Sequence, residues 1–211
     1  PSARGLGPDR YHGLAARATG MTVIVSLRRR DRQPKGAKFT LAGLVAVLSV
    51  CTAAPVSAAK GELKPAKGVV VAGDFIAQDL RGKPTRFGET RGSVVLLNFW
   101  ATWCPPCRKE MPAMEQLYRA YKDRGLVVLA VSQDQAPLAT VRSFVEELKL
   151  SFPVWHDRDG LVGRQYNVPG VPASYLIGRD GRIAWRVLGE YDWFSPEARA
   201  AVEALLAVPG K

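Results

Sequence analysis

Apolar residues are spaced in two ways along this chain, and each spacing names an element. Residues 93–100, Ser-Val-Val-Leu-Leu-Asn-Phe-Trp, form an almost unbroken apolar run rich in β-branched and aromatic side chains. Such a run reads as a strand buried on both faces. Residues 126–132 repeat the pattern. The stretch 108–121 reads as a helix, closed by Asp123-Arg124-Gly125, where glycine suits the position after a helix end. A second helix is predicted over 137–150: Leu138, Val141, Phe144, Val145 and Leu148 fall on one face, and Pro137 sits near the first turn.

Shorter signals complete the series. Residues 74–80 and 85–87 flank Arg81-Gly82-Lys83-Pro84 and read as a β-hairpin, followed by a loop over 89–92. Residues 152–155 form a short strand, and 157–166 a loop or short helix. Residues 174–177 and 183–188 pair across the turn Arg179-Asp180-Gly181-Arg182. A closing helix covers 196–208, with Ala198, Val202, Leu205 and Leu206 on its apolar face. Strand–helix alternation ending in an antiparallel hairpin predicts an α/β fold, a mixed central β-sheet with helices on both faces. No internal repeat is visible.

The first quarter of the chain has a different character. Residues 1–20 begin without Met, are rich in Arg, Gly and Ala, and lack periodicity; they read as a disordered or upstream extension. From Met21 the pattern is that of export. Arg28, Arg29, Arg30, Arg32, Lys35 and Lys38 precede a charge-free apolar run at 39–50, and Pro55-Val56-Ser57-Ala58-Ala59 offers small residues for cleavage after Ala58 or Ala59. The run is short for a membrane span of about 20 residues, yet 39–59 is uncharged throughout. Residues 21–59 are therefore a signal peptide or an N-terminal membrane anchor, and the basic end places the remainder outside the cytoplasm. Leu48-Ser49-Val50-Cys51 resembles a lipidation box, but Val50 stands where a small residue is expected. Residues 60–71, with Lys, Gly and Pro and little pattern, read as a linker. The folded domain is expected over 72–211, long enough for its own core.

Charge changes little in this picture. The net +11 of the 211 residues is uneven. Nine basic and two acidic residues lie in 1–58, against twenty-one and seventeen in 59–211. No basic stripe interleaved with aromatics remains in the domain, so nucleic acid is excluded as a partner.

Cysteine use is more telling. There are three cysteines, Cys51, Cys104 and Cys107. A stapled scaffold would spread several pairs along the chain. Here one close pair, Trp103-Cys104-Pro105-Pro106-Cys107, sits where a buried strand gives way to a helix. A sulfur at a helix N-terminus meets unpaired backbone N–H groups and the positive end of the dipole, which favour the thiolate nucleophile. Cys104 is thus the expected nucleophile. Cys107, about one turn inside, is the resolving cysteine. A zinc site needs about four ligands; there is no second close pair, and His156 is the only histidine beyond residue 12. No metal site is expected.

The motif resembles the thioredoxin superfamily, and more narrowly its exported TlpA/ResA/CcmG-type thiol–disulfide oxidoreductases. The resemblance is carried by Asn98-Phe99-Trp100-Ala101-Thr102-Trp103-Cys104-Pro105-Pro106-Cys107-Arg108-Lys109-Glu110-Met111-Pro112, by a central strand–helix insertion over 126–154, and by Gly170-Val171-Pro172-Ala173-Ser174-Tyr175-Leu176-Ile177 with the hairpin that follows. It covers roughly residues 72–207. It implies a thioredoxin-like fold and a reductant of protein disulfides, working in the periplasm or on the outer face of the cytoplasmic membrane as a monomer. The redox-active Cys104–Cys107 pair would need no further cofactor. Implied partners are apocytochrome c or an oxidase subunit, with a membrane electron donor of thiol–disulfide type resupplying the pair. Trp103, Pro105 and Pro106 would shape the site, and a cis Val171–Pro172 bond would present backbone to a substrate peptide. Glu110 would serve partner recognition or proton handling, or else simply complement the helix dipole on a solvated face. Pro112 should kink the helix, because a proline inside a helix removes a hydrogen bond. Trp100 and Trp193 are expected in the core. Asn98 replaces the titratable Asp of thioredoxin proper, so Glu110, water or Asp134 would have to move protons. Competing readings are a thiol peroxidase, which lacks its motif here, and a copper-binding metallochaperone using Cys104, Cys107 and His156.

Overall fold

The computed structural model describes residues 60–209. The expected extension at 1–20 and the export or anchor segment at 21–59 lie outside them. The strands are β1 (Lys64–Pro65), β2 (Ile76–Asp79), β3 (Pro84–Arg86), β4 (Val94–Trp100), β5 (Leu126–Ser132), β6 (Val154–His156), β7 (Ala173–Ile177) and β8 (Ile183–Leu188). The helices are α1 (Pro105–Tyr121), α2 (Leu138–Glu147), α3 (Leu161–Gln165) and α4 (Pro196–Leu206). One sheet joins all strands in the order β1-β8-β7-β4-β5-β6-β2-β3. β4–β5 and β5–β6 are parallel, and the other neighbours are antiparallel.

The apolar run that defines β4 also fixes its place. All seven of its residues are buried. Its alternate side chains Val94, Leu96 and Trp100 pack with Met111, Met114 and Leu117 of α1, Val141 and Phe144 of α2, and Ala198 and Val202 of α4. Val95, Leu97 and Phe99 point the other way, toward Phe75, Phe87 and Val162 of α3. Each fully buried Val, Leu or Phe contributes roughly 1.5–3 kcal/mol, so slipping β4 by one residue would misplace both layers. The result is a mixed sheet with helices on both faces, as the sequence predicts. α3 is short, and stacked Phe75 and Phe87, with ring centroids 4.8 Å apart, cover much of its side. Gly125, at φ 98°, turns the chain from the end of α1 into β5.

Two expectations need correcting. α1 begins at Pro105 rather than at residue 108. Proline fits the first helical positions, because its fixed φ is already helical and its missing N–H has no partner there. Residues 60–71 are not a free linker. β1 pairs with β8, Lys64 opposite Arg186; Ile183 donates to the Val70 carbonyl at 2.8 Å, and Ala72 to the Gly181 carbonyl at 2.9 Å. The pairing satisfies the backbone groups along the edge of β8.

Candidate active site

Cys104 caps α1. Its backbone is extended and its Sγ accepts the Cys107 N–H at 3.2 Å. Pro105 and Pro106 carry no N–H, so Cys107 supplies the first free donor of the helix, and that donor points at the Cys104 sulfur. The two cysteines are joined as a disulfide, with Cα atoms 5.3 Å apart. Cys107 is fully buried and Cys104 nearly so, while the Trp103 ring beside them is 67% exposed. Trp100 and Trp193 are fully buried, as core residues should be. Arg108, in the first turn, pairs with Glu147 of α2 and lies over the Phe144 ring at 5.3 Å.

The turn ahead of Cys104 is clamped from β5. Asp134 Oδ2 accepts the Thr102 N–H at 2.9 Å, and its Oδ1 accepts the Thr102 hydroxyl at 2.6 Å. The Ser132 hydroxyl donates to Oδ2 at 2.7 Å. The carboxylate is buried and fully engaged. Asp134 thus holds the turn that leads into Cys104.

Glu110 lies one turn beyond Cys107 on the same side of α1. It is only 2% exposed, which overturns the solvated-face reading. Asn98 donates from Nδ2 to Glu110 Oε1 at 2.7 Å and to the Ser174 hydroxyl at 2.9 Å. The Tyr191 N–H reaches Glu110 Oε2 at 3.3 Å. Burial pushes the Glu110 carboxyl up to about 8, against the smaller downward pull of the Asn98 and Tyr191 donors; the Glu190 charge adds to the rise. Asn98 Oδ1 is buried with no partner among the described residues; the amide that replaces thioredoxin's Asp contributes donors and has no titratable proton. The sequence carried a signal for this burial: Cys107, Glu110, Met114, Leu117 and Tyr121 follow 3–4–3–4 spacing, which places the acid on the helix's apolar stripe. No local sequence signal marks Ser174, Thr102 or Ser132 as part of this site. The roles of Ser174 and Thr102 depend on partners 76 and 32 residues away, and that of Ser132 on Asp134 two residues on.

The Val171–Pro172 bond is cis. Pro172 is buried and its carbonyl accepts the Gly189 N–H at 2.9 Å. The Val171 N–H and C=O have no backbone partner among the described residues. His156 does not join the cysteines. It is buried, with Nε2 at 2.7 Å from the Asp134 carbonyl, and among the described residues no group of three His, Cys, Asp or Glu is placed to hold a metal ion. The copper reading therefore loses its ligand set.

A redox pair at this strand–helix junction of a mixed sheet places the chain among the thioredoxin-like thiol–disulfide oxidoreductases. It belongs to the AhpC/TSA family, whose model matches residues 70–186. It is 41% identical over 117 residues to the thiol-disulfide oxidoreductase ResA of Bacillus thuringiensis subsp. konkukian, covering 56% of this chain and 67% of that one. The ResA of Oceanobacillus iheyensis is 36% identical over 151 residues, 68% of this chain and 78% of its own length. Among solved structures, a putative thiol:disulfide interchange protein DsbE from Chlorobium tepidum superposes with a TM-score of 0.57 at 34% identity, over 66% of this chain and 95% of that one. A putative thioredoxin from Neisseria meningitidis gives 0.57 and 34%, over 64% and 88%. The enzyme is a thiol–disulfide oxidoreductase.

Proposed function

We propose that the enzyme reduces disulfides of exported proteins. The observation that carries the reading is the Cys104 sulfur held at the start of α1 with a buried acid one turn beyond its partner cysteine. In the reduced enzyme the Cys104 thiolate attacks a substrate disulfide, forming a mixed disulfide and expelling one substrate sulfur. Cys107 then loses its proton and attacks Cys104 Sγ. The second substrate sulfur leaves, and the enzyme is left as the Cys104–Cys107 disulfide. Two electrons pass to the substrate, and its two sulfurs end as thiols. Glu110 carries a proton in this exchange, the task that Asn98 cannot perform. With the carboxyl raised to about 8, its ionised fraction near neutral pH takes the Cys107 proton as that thiol becomes the attacking thiolate. The acid so formed gives the proton to the departing substrate sulfur; residues three apart lie on the same side of a helix.

The free backbone of Val171 supports pairing with an extended substrate strand beside the cis Pro172, and exposed Trp103 gives that strand an apolar surface. Pro105 and Pro106 keep the ring stiff. By likeness to the ResA and DsbE relatives, the site of action is outside the cytoplasmic membrane, the export or anchor segment being 21–59. No helix among the described residues is long and apolar enough to cross a membrane. The substrates in this reading are haem-attachment cysteines of apocytochrome c or metal-site cysteines of an oxidase subunit. A membrane thiol–disulfide donor resupplies a monomeric enzyme that needs no cofactor beyond its own pair.

The test combines potential and turnover. The Cys104–Cys107 pair should equilibrate nearer thioredoxin, at about −270 mV, than the strong oxidants at about −120 mV. Cys104→Ser should abolish insulin-disulfide reduction. A strongly oxidising potential, or a serine variant with parental turnover, sinks the assignment. Peroxide consumption faster than disulfide reduction would favour the thiol peroxidase instead.

A further inference from the structure

The described chain enters the domain at the redox end of the sheet. Lys60 bridges to Glu190 in parallel, and the Gly61 N–H donates to the Glu190 carbonyl at 2.6 Å. The approach is too close for a side chain. A Cβ on Gly61 would lie 2.5 Å from Val187 Cγ1, 2.8 Å from the Gly189 oxygen and 3.2 Å from the Glu190 oxygen. Two of these neighbours are backbone, and Val187 is buried, so none can easily give way. Any larger residue must push the strap off the loop.

On its other side the same loop meets the buried acid. Tyr191 donates its N–H to Glu110, and the Glu190 carboxylate lies 3.5 Å from Lys109 Nζ. Trp193, fully buried, anchors the loop edge-on against the Tyr191 ring at 5.1 Å. The groups that face Glu110 are therefore Cys107 one turn before it on α1, Asn98 on β4 with Ser174 of β7 behind it, and the Glu190 charge and Tyr191 N–H of the loop; Lys109 points to solvent. The strap adds only the Lys60 charge at its far end. Its contribution is mechanical.

We propose that Gly61 and Glu190 are positioning residues for the redox site: the strap at 60–61 clamps the loop after β8 over Glu110 and keeps water from that acid. The proposal rests on the reading of Glu110 as the proton carrier. It makes the segment that joins the domain to the preceding chain part of the apparatus that sets the acid's proton affinity.

The test is a carbon-13 NMR titration of the Glu110 carboxyl in the full-length oxidised chain, with Glu110→Gln to assign the resonance. In Gly61→Val the strap is displaced and water enters. Loss of the Tyr191 donor raises proton affinity and wetting lowers it. Burial is the largest influence on this carboxyl, so the net change is downward, by about one pH unit or more, a tenfold loss of proton affinity. An unchanged or rising titration overturns the proposal. Gly61→Ala serves if valine prevents folding. In the unmodified chain the Gly61 and Tyr191 amides should exchange hydrogen within about threefold of one another, as one opening unit; a Tyr191 amide protected tenfold longer also overturns it. The carboxyl signal needs no turnover. Failure of the reductase reading would appear separately, as absent disulfide reduction with the titration shift intact.

Discussion

Two carboxylates are buried beside the redox pair, and they are treated in opposite ways. Asp134, on the turn after β5, receives three close donors from Thr102 and Ser132. Glu110, on α1, receives one close donor from Asn98 and a longer one from Tyr191, with the Glu190 charge nearby. Both are almost without solvent contact. The difference is the number and quality of donors. A buried acid surrounded by donors is a structural knot, while one that is short of them keeps its proton to high pH and can trade it. The fold thus gives the surroundings of Cys104–Cys107 one acid rich in donors and one poor in them, the second being the proton carrier of the proposed reaction.

The largest expected effect separates them by pH. Glu110 titrates at about 8 in the folded protein, from a usual value of 4.5. Between those values the folded state holds a proton that the unfolded chain has lost. Stability therefore falls as pH rises through this window; the burden is absent below the lower value and complete above the upper one. Its full size is on the order of 5 kcal/mol. In Glu110→Gln the burden is gone. Urea unfolding with the pair kept oxidised, from about pH 5 to pH 9, should show the parent losing stability relative to the variant. Parallel curves would mean that Glu110 is satisfied like Asp134. The same variant should slow disulfide reduction by about 100-fold near neutral pH, the usual scale for a lost acid–base group.

Removing the knot should act on stability instead. Asp134→Ala strands the Thr102 N–H and two hydroxyls. The cost is about 3 kcal/mol, or roughly 6–12 °C in Tm for a domain of this size. The pH profile of disulfide reduction should keep its shape. If the alkaline limb moved while the melting temperature held, Asp134 would be the proton carrier and the contrast would be reversed.

Much of this arrangement is legible in the chain, and each exception has its own physical cause. β5 and β8 occupy the residues expected of them, because apolar runs and turn residues carry their own signal. The Cys104–Cys107 site at the start of a helix is legible for the same reason. α1 starts three residues early, since the two prolines fit its first turn as well as they fit the redox ring. β1 leaves almost no trace in side chains. Its pairing with β8 is made by backbone groups that every sequence possesses. The fates of Glu110 and Asp134 depend on partners such as Tyr191, 81 residues from Glu110, and Thr102, 32 residues from Asp134. Distant donors decide what a buried acid does, and local pattern cannot count them.

The smallest test isolates a single donor. Thr102→Val keeps the backbone N–H on Asp134 and the β-branched shape, but removes the hydroxyl that reaches Oδ1 at 2.6 Å. One hydrogen bond to a carboxylate is worth about 1.5–3 kcal/mol, less where water can replace the donor. Thr102 is only partly buried, so a cost of about 1–2 kcal/mol is expected, with disulfide reduction within about threefold of the parent. The decisive comparison is the double variant. If Asp134 acts as a knot through Thr102, Thr102→Val should cost almost nothing once Asp134 is alanine, because the bond it removes is already lost. Additive losses in chemical denaturation would mean that the hydroxyl stabilises the turn through some other partner, and that the donors around Asp134 do not work as one unit.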